Sequence, residues 1–434
     1  MMRLFVATAM IPLIAAAAPA QAQSSQTHPF AMFGSAAEAR DPGVDGFYAA
    51  RNGAPIWLRG GADSSDARAL IQVLRRAAVE GFAEGPAVAS QAEALMVRAQ
   101  TGDRSALTAA DRLLSTGWVH YVEFLHQRPA GMTFAEQWIA PRSASPREIL
   151  LVAAAAPSLA SHVRSVSAVN PFYSELRDAA YAQQSSGALA DPRLLSSLDR
   201  TRVFPSRGRY VVVDAASARL WMVEDGRIVD SMKVIVGKPD SQTPMIASVI
   251  HYATLNPYWN VPPDMVRSLI ARNVLDQGPG YLKVHGYEVL TGFEDDARVL
   301  TPGEVDWKAV ADGRSTVRVR QLPGPGNSMG HLKFGFANNA GVYLHDTPKK
   351  ELFSTDDRDL SHGCIRLEDA ERLGRWLLGR EPSTSSSAPE QQVLLPKPVP
   401  VYVTYLTARV DNGQLTLVDD VYGRDREPTM ASLR

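Results

Sequence analysis

The sequence predicts an α+β protein: a mostly helical N-terminal domain followed by a mainly β domain of sandwich or barrel type. Three observations carry this. Over about residues 63–184, apolar residues recur at helical spacing. From residue 210 the pattern changes to short apolar runs separated by Gly- and Pro-containing turns. The length of 434 residues suits two or three domains, and 45% hydrophobic with 21% charged residues is the make-up of an ordinary soluble globular protein. A net charge of −1 offers no electrostatic case for nucleic acid or an anionic membrane surface as partner.

Taken in order, the chain opens with Arg3 and an apolar run over residues 4–18, then Ala20-Gln21-Ala22, an A-x-A cleavage signal. Residues 1–22 are expected to be a signal peptide, with a mature start at Gln23. The apolar run is too short for a transmembrane helix, no later stretch reaches spanning length, and no cysteine follows it for lipid attachment. Residues 23–184 are expected to form the helical domain. Ser64-Ser65-Asp66 supplies an N-cap, Leu70, Val73, Leu74, Ala77 and Ala78 a helix face, and Gly81 a stop. Further helices are expected at 87–100, at 106–125 (weakened by Gly117), at 146–155 and at 170–184. His120, His126 and His162 lie in this part and are read as structural. Residues 185–208 read as a linker and 209–434 as the β domain. Within the latter, Asp225-Gly226 between apolar runs is the clearest hairpin turn in the chain. The Ser/Pro-rich residues 381–392 are expected to form a mobile loop.

The chemistry is expected around Ser361-His362-Gly363-Cys364-Ile365-Arg366-Leu367, which holds the only cysteine of the chain. His345 lies 19 positions upstream, at the end of a strand-like run. By default a lone Cys is a small buried apolar residue and a lone His a satisfied structural group. A single thiol in an exported chain can form no intramolecular disulfide and is exposed to oxidation, so its presence points to use. A thiol attacks best as thiolate, an imidazole can take its proton, Gly363 permits a tight turn, and nearby amide N–H groups can face an oxyanion. There is no HExxH, no cysteine pair for zinc and no P-loop, so no metal or cofactor is expected. Gly326-Asn327-Ser328-Met329-Gly330 matches Gly-x-Ser-x-Gly, but prolines precede it and a strand-like run follows, so it reads as a turn.

The run YLHDTPKKELFSTDDRDLSHGCIRL, from Tyr343 to Leu367, resembles the active-site signature of the L,D-transpeptidases with a YkuD-type catalytic domain. RYVVVDAASARLWMVEDGR, NPYWNVPPDM, RQLPGPGNSMGHLKFGFAN and VPVYVTYLTARVDNGQLTLVDDVYGRD resemble other parts of that domain, and the helical region is similar to the scaffold region of the larger Gram-negative members. The resemblance implies a periplasmic cysteine acyltransferase acting on peptidoglycan tetrapeptide stems. It would release the terminal D-Ala and form 3→3 cross-links through a thioester. Water as acceptor would make it an L,D-carboxypeptidase or endopeptidase, and a catalytically silent wall-binding protein is the remaining alternative. It further implies Cys364 as nucleophile, His345 as general base and acid, Asp346 as the residue orienting His345, and carbapenem-type inhibitors as acylating agents of Cys364. His362, Gly363 and Cys364 would supply oxyanion-loop amides, with His362 the alternative base. Arg366 either forks onto a stem-peptide carboxylate or braces the loop, bracing being slightly favoured. Ser361, Tyr343, His331 and Asn338 are expected near the substrate, and the resemblance implies that residues 258–330 include a lid or cap over the cleft.

Overall fold

The computed structural model describes residues 41–183 and 191–425, apart from 293, 295 and 385. The expected signal peptide and mature start lie outside the described residues. No helix among the described residues is long and apolar enough to cross a membrane.

The N-terminal domain is helical: Pro42–Ala49, Ser65–Arg76, Gly85–Gln100, Arg104–Leu125, Pro146–Ala155, Leu159–Ala168 and Pro171–Gln183. Side chains cap most of these starts. Asp41, Ser64, Asp103 and Ser158 accept from first-turn amides, and Ser145 with Glu148 forms a reciprocal capping box; each such cap stabilises its helix by about 1 kcal/mol. Gly81 ends the turn after the second helix in the left-handed conformation. Gly117 does not weaken its helix, which runs unbroken from Arg104 to Leu125. A Cβ there would sit 2.7 Å from Val88 Cγ1 of the neighbouring helix. The glycine allows two helices to approach closely, and that packing outweighs its poor helix propensity.

The domain core gathers around Trp57, Trp118 and Tyr121, all fully buried. Asp111, also buried, accepts from the backbone N–H of Ile56 at 3.0 Å and of Trp57 and Leu58 at 2.8 Å each, and from the Tyr48 hydroxyl. A buried carboxylate is tolerated because these donors replace its water. It turns the non-helical 56–58 segment into a fixed floor for the helices. Pro192–Thr201, inside the expected linker, is a helix whose Leu194 and Leu198 belong to this same core. Its Arg200 is buried and donates to Tyr405 O at 2.6 Å, Arg424 O at 2.7 Å and Asp425 Oδ1 at 2.7 Å, so the helical domain is tied to the C-terminal segment.

The β domain is a closed circuit of eight strands: β1 Arg209–Asp214, β2 Arg219–Glu224, β3 Arg227–Gly237, β4 Met245–Leu255, β5 Leu332–Phe336, β6 Leu344–His345, β7 Ile365–Leu367 and β8 Gln391–Thr404. The spatial order is β4-β5-β6-β7-β3-β2-β1-β8, and β8 returns to pair with β4. Closure removes the exposed edges that an open sheet would present. Most neighbours are antiparallel; β1–β8 and β6–β7 are parallel. Asp225 and Gly226, at φ +49° and +76°, make the two-residue turn between β2 and β3. Val211, Val213, Leu220, Val234, Phe334, Leu344, Ile365 and Val401 fill the interior.

Between β4 and β5 the chain builds a small body of its own. Strands Trp259–Asn260, Arg318–Gln321, Tyr287–Leu290 and Val299–Leu300 form one sheet, and short helices cover it over a core that includes Ile270, Val289, Trp307 and Val319. The buried Asn327 amide donates to Pro257 O, Gln321 O and Leu322 O at 2.9–3.2 Å, pinning both ends of this excursion together. The expected loop 381–392 is irregular only to residue 390; Gln391 already begins β8. Asp111→Ala leaves three buried amides without acceptors. It should lower stability by about 3 kcal/mol, measured by urea unfolding followed at 222 nm.

Candidate active site

The site grows from the pairing of β6 with β7. The two strands run parallel with Leu344 beside Ile365 and His345 beside Arg366. Side chains alternate between faces along a strand. Leu344, Ile365 and Leu367 are fully buried in the barrel, so Cys364, Arg366 and His345 are sent to the other face. There, Cys364, His345, Arg366, Ser361 and His362 share one cleft of about 180 Å³, roofed by Trp259, Met265 and Met329 of the 259–329 region.

His345 is buried. Its Nδ1 lies 2.6 Å from the main-chain oxygen of Asp346. A carbonyl can only accept, so Nδ1 carries the proton and Nε2 keeps its lone pair. Burial drives the imidazole pKa down to about 4; the Asp346 carbonyl opposes this, and the nearby Arg366 charge adds to it. The ring is therefore neutral near pH 7. Burial also pushes the Cys364 thiol up, against the favourable influence of the Tyr343 backbone and Arg366. Cys364 Sγ donates to Gly341 O at 3.8 Å and makes no hydrogen bond to His345 among the described residues. The resting state is a neutral thiol beside a neutral base rather than a thiolate–imidazolium pair.

Asp346 orients His345 through its main chain. Its carboxylate is engaged elsewhere, accepting from His331 N at 3.0 Å and Lys350 Nζ at 2.7 Å. Burial would raise this carboxyl, but Lys350 and the His331 amide outweigh it and hold it below its usual range. Gly330, at φ +62°, has no room for a side chain: a Cβ would lie 2.2 Å from Asp346 Oδ2. This glycine closes the stretch read from sequence as a turn, and it seats the carboxylate.

The thiol loop is held from inside. Ser361 is buried; its hydroxyl accepts from Gly363 N at 3.1 Å and donates to Cys364 O at 2.6 Å. This corrects one expectation. The Gly363 N–H is consumed by Ser361 and is not offered to an oxyanion, which leaves the amides of His362 and Cys364. Gly363 itself adopts φ +108°, a conformation that favours glycine. Arg366, expected slightly more as a brace, makes no hydrogen bond or ion pair to protein groups among the described residues and lines the cleft. His362 is exposed on the cleft wall, its ring unbonded among the described residues.

Two expected residues stand apart, and a third lies beside the thiol without lining the cleft. His331 lines a separate charged cleft beyond Asp346, with Lys350 and Glu368. The Asn338 side chain is spent on its own loop, donating to Phe336 O and Val342 O and accepting from Ala340 and Val342 amides. Tyr343 has its ring under Lys333, whose Nζ is 5.3 Å from the ring centre, and it stays next to the thiol: its backbone favours the Cys364 thiolate, and burial followed by the Cys364 charge raises its own phenol. Sequence reasoning missed Gly330, Lys350 and Thr243. The last donates to Gly363 O from a loop more than a hundred residues earlier, and no local signal announces it.

Residues 208–403 match the family described as the L,D-transpeptidase catalytic domain, YkuD, and residues 42–179 match the scaffold domain. A protein of Haemophilus influenzae, named provisionally as an L,D-transpeptidase, is 26% identical over 398 residues, covering 89% of this chain and 78% of that one. Among solved structures, an L,D-transpeptidase from Mycobacterium smegmatis is 15% identical, with 45% of this chain and 58% of that chain covered and a TM-score of 0.23. L,D-transpeptidase 3 from Mycobacterium tuberculosis, solved with a faropenem-derived adduct, is 13% identical over 45% of this chain and 60% of that one, again at 0.23. The chain thus spans about three fifths of these solved relatives, and such scores do not establish a common overall shape.

The neutral resting pair sets a pH dependence. Alkylation of Cys364 by iodoacetamide should be slow at pH 7 and climb only above the usual thiol value of 9.0, because it follows the thiolate fraction. A rate plateau between pH 5 and pH 8, at about the range where an ion pair would persist, would contradict the assignment.

Proposed function

We propose, from the premise that this chain belongs to the L,D-transpeptidase family with a YkuD catalytic domain behind a scaffold domain, that it is a periplasmic cysteine acyltransferase acting on peptidoglycan tetrapeptide stems. The observation that carries the reading is the shared cleft, in which an unpaired thiol and a buried imidazole with its Nδ1 tied to a carbonyl face the same space.

The chemistry follows from those atoms. Cys364 Sγ attacks the carbonyl between the third stem residue and the terminal D-Ala, while His345 Nε2 takes the thiol proton. The carbonyl electrons move onto oxygen, where the Cys364 N–H, and on the far side the His362 N–H, stabilise them. The electrons return, the C–N bond breaks, and the imidazolium gives its proton to the departing D-Ala amine. A thioester remains. An acceptor amine then attacks it, His345 takes one of that amine's protons and returns it to sulfur, and a 3→3 cross-link results. Water in the same role gives carboxypeptidase activity. His345 is the better base than His362, because its tautomer and ring plane are held whereas His362 is exposed. Because no carboxylate among the described residues pairs with it, Arg366 is expected to fork onto a carboxylate of the stem peptide. Its charge also favours thiolate formation beside it.

Exposure to a carbapenem should add the mass of the inhibitor to the wild-type protein and nothing to Cys364→Ala; an unmodified wild type would revive the silent wall-binding reading. Purified protein with disaccharide-tetrapeptides should yield 3→3 cross-linked muropeptides and free D-Ala, whereas tripeptides alone would mark water as the acceptor. His345→Gln should slow acylation at least about 10²-fold and His362→Gln far less, the reverse order overturning the base assignment. Arg366→Ala should raise KM for the stem peptide roughly tenfold or more.

A further inference from the structure

We infer that Thr243 is a positioning residue for this reaction: its hydroxyl locks the Gly363–Cys364 peptide so that the Cys364 N–H faces the oxyanion. The inference rests on the acyl-transfer reading above and adds to it a residue from a distant loop.

Thr243 is completely buried. Its Oγ1 lies 2.8 Å from Gly237 N and 2.9 Å from Gly363 O. An amide N–H can only donate, so the hydroxyl accepts there. A carbonyl can only accept, so the single hydroxyl proton is spent on Gly363 O. Both roles are dictated, and the hydroxyl cannot turn without breaking one of them. The peptide after Gly363 is trans and planar, as are all the described peptide bonds. In a trans peptide the C=O and the N–H point in opposite directions. Holding Gly363 O against Thr243 therefore sends the Cys364 N–H away from the protein interior, on the side opposite the latch.

That amide is the one that matters. The Gly363 N–H is already bonded to Ser361, while the Cys364 N–H has no acceptor among the described residues. Of the two amides that flank Gly363's carbon skeleton, only the one aimed by Thr243 is available to a ligand. Gly363, at φ +108°, supplies the backbone freedom, and Thr243 chooses the orientation within it.

Thr243 is itself held firmly. The loop from Gly237 to Thr243 folds back so tightly that a Cβ on Gly237 would lie 2.1 Å from Ser241 O. The Tyr422 hydroxyl donates to Gly237 O, and Arg424 donates to Thr243 O at 2.9 Å and to Gln242 Oε1 at 3.0 Å. Tyr422 stacks on Tyr405 with ring centres 4.8 Å apart. These residues lie after position 403, where the match to the catalytic family ends. The extreme C-terminal part of the described chain thus supports the loop that aims the amide.

The test separates positioning from general stability by using two reactions of one thiol. Acylation by a carbapenem passes through an oxyanion; alkylation by iodoacetamide displaces iodide and makes none. Thr243→Val keeps the shape and removes the hydroxyl. It should slow carbapenem acylation by roughly 10²-fold, the size seen when one oxyanion donor is lost, and change the iodoacetamide rate by less than about threefold. Thr243→Ser, which restores the hydroxyl, should recover most of the acylation rate. Equal slowing of both reactions, or no slowing of acylation, overturns the inference. Should Thr243→Val not fold, Arg424→Met is expected to show the same separation at smaller amplitude, and equal effects on both reactions would again overturn it. Wild-type acylation serves as the control: its absence would defeat the acyl-transfer reading itself, independently of Thr243.

Discussion

Two rungs of parallel pairing, Leu344 with Ile365 and His345 with Arg366, determine where everything else in the site can be. Strand alternation does the rest. Once Leu344, Ile365 and Leu367 are committed to the barrel interior, the thiol, the guanidinium and the imidazole must emerge together on the opposite face. A slip of one residue in this register would bury the histidine's partner and expose a leucine. The apolar interior of the barrel is thus the force that selects the catalytic arrangement, although none of the reacting groups is part of it. The neighbouring strands β3 and β5 hold the pair in place, and the small body built over residues 259–321 supplies the roof.

Burial has a second consequence at the same spot. It disfavours charge on both the imidazole and the thiol, so neither group is ionised at rest. Arg366 is the counterweight: a cation without a partner among the described residues, on the same face as the sulfur, favours the thiolate form of Cys364. The oxyanion side obeys the same economy of donors. Ser361 consumes one amide to shape the loop, and the hydroxyl of Thr243 consumes a carbonyl to free another.

Much of this was legible in the chain. The change from helical to alternating periodicity marked the two-part architecture, Asp225-Gly226 marked its hairpin, and the Ser-x-Gly-Cys-x-Arg run with a histidine upstream marked the cleft. Those features are local, and local physics writes them in adjacent residues. What could not be read was set by contacts between distant segments. Gly117 looked like a flaw because Val88 on the next helix is invisible from Gly117's neighbours. His331 and Asn338 sat close in sequence to His345, yet the turn at Gly330 and the loop at residues 337–342 direct them elsewhere. Pro192–Thr201 stood out in sequence only as a short helix-like patch within the linker; that Leu194 and Leu198 join the helical core is evident only from the packing. Thr243 carried no signature at all, since its value depends on where a carbonyl 120 positions later comes to rest.

The closing strand of the barrel has an implication for how the protein comes into being. β8 pairs with β4 and with β1, partners 136 to 190 positions earlier, and Arg200 pairs with Asp425, 225 positions away. Contacts of such long separation form late, whereas the helical domain is built largely from neighbours in sequence. During synthesis the N-terminal half can mature while the strands that carry His345 and Cys364 still lie on an open sheet. A chain stopped before β8 would keep those two strands but leave β1 and β4 as unjoined edges, so the barrel wall behind the cleft would be incomplete.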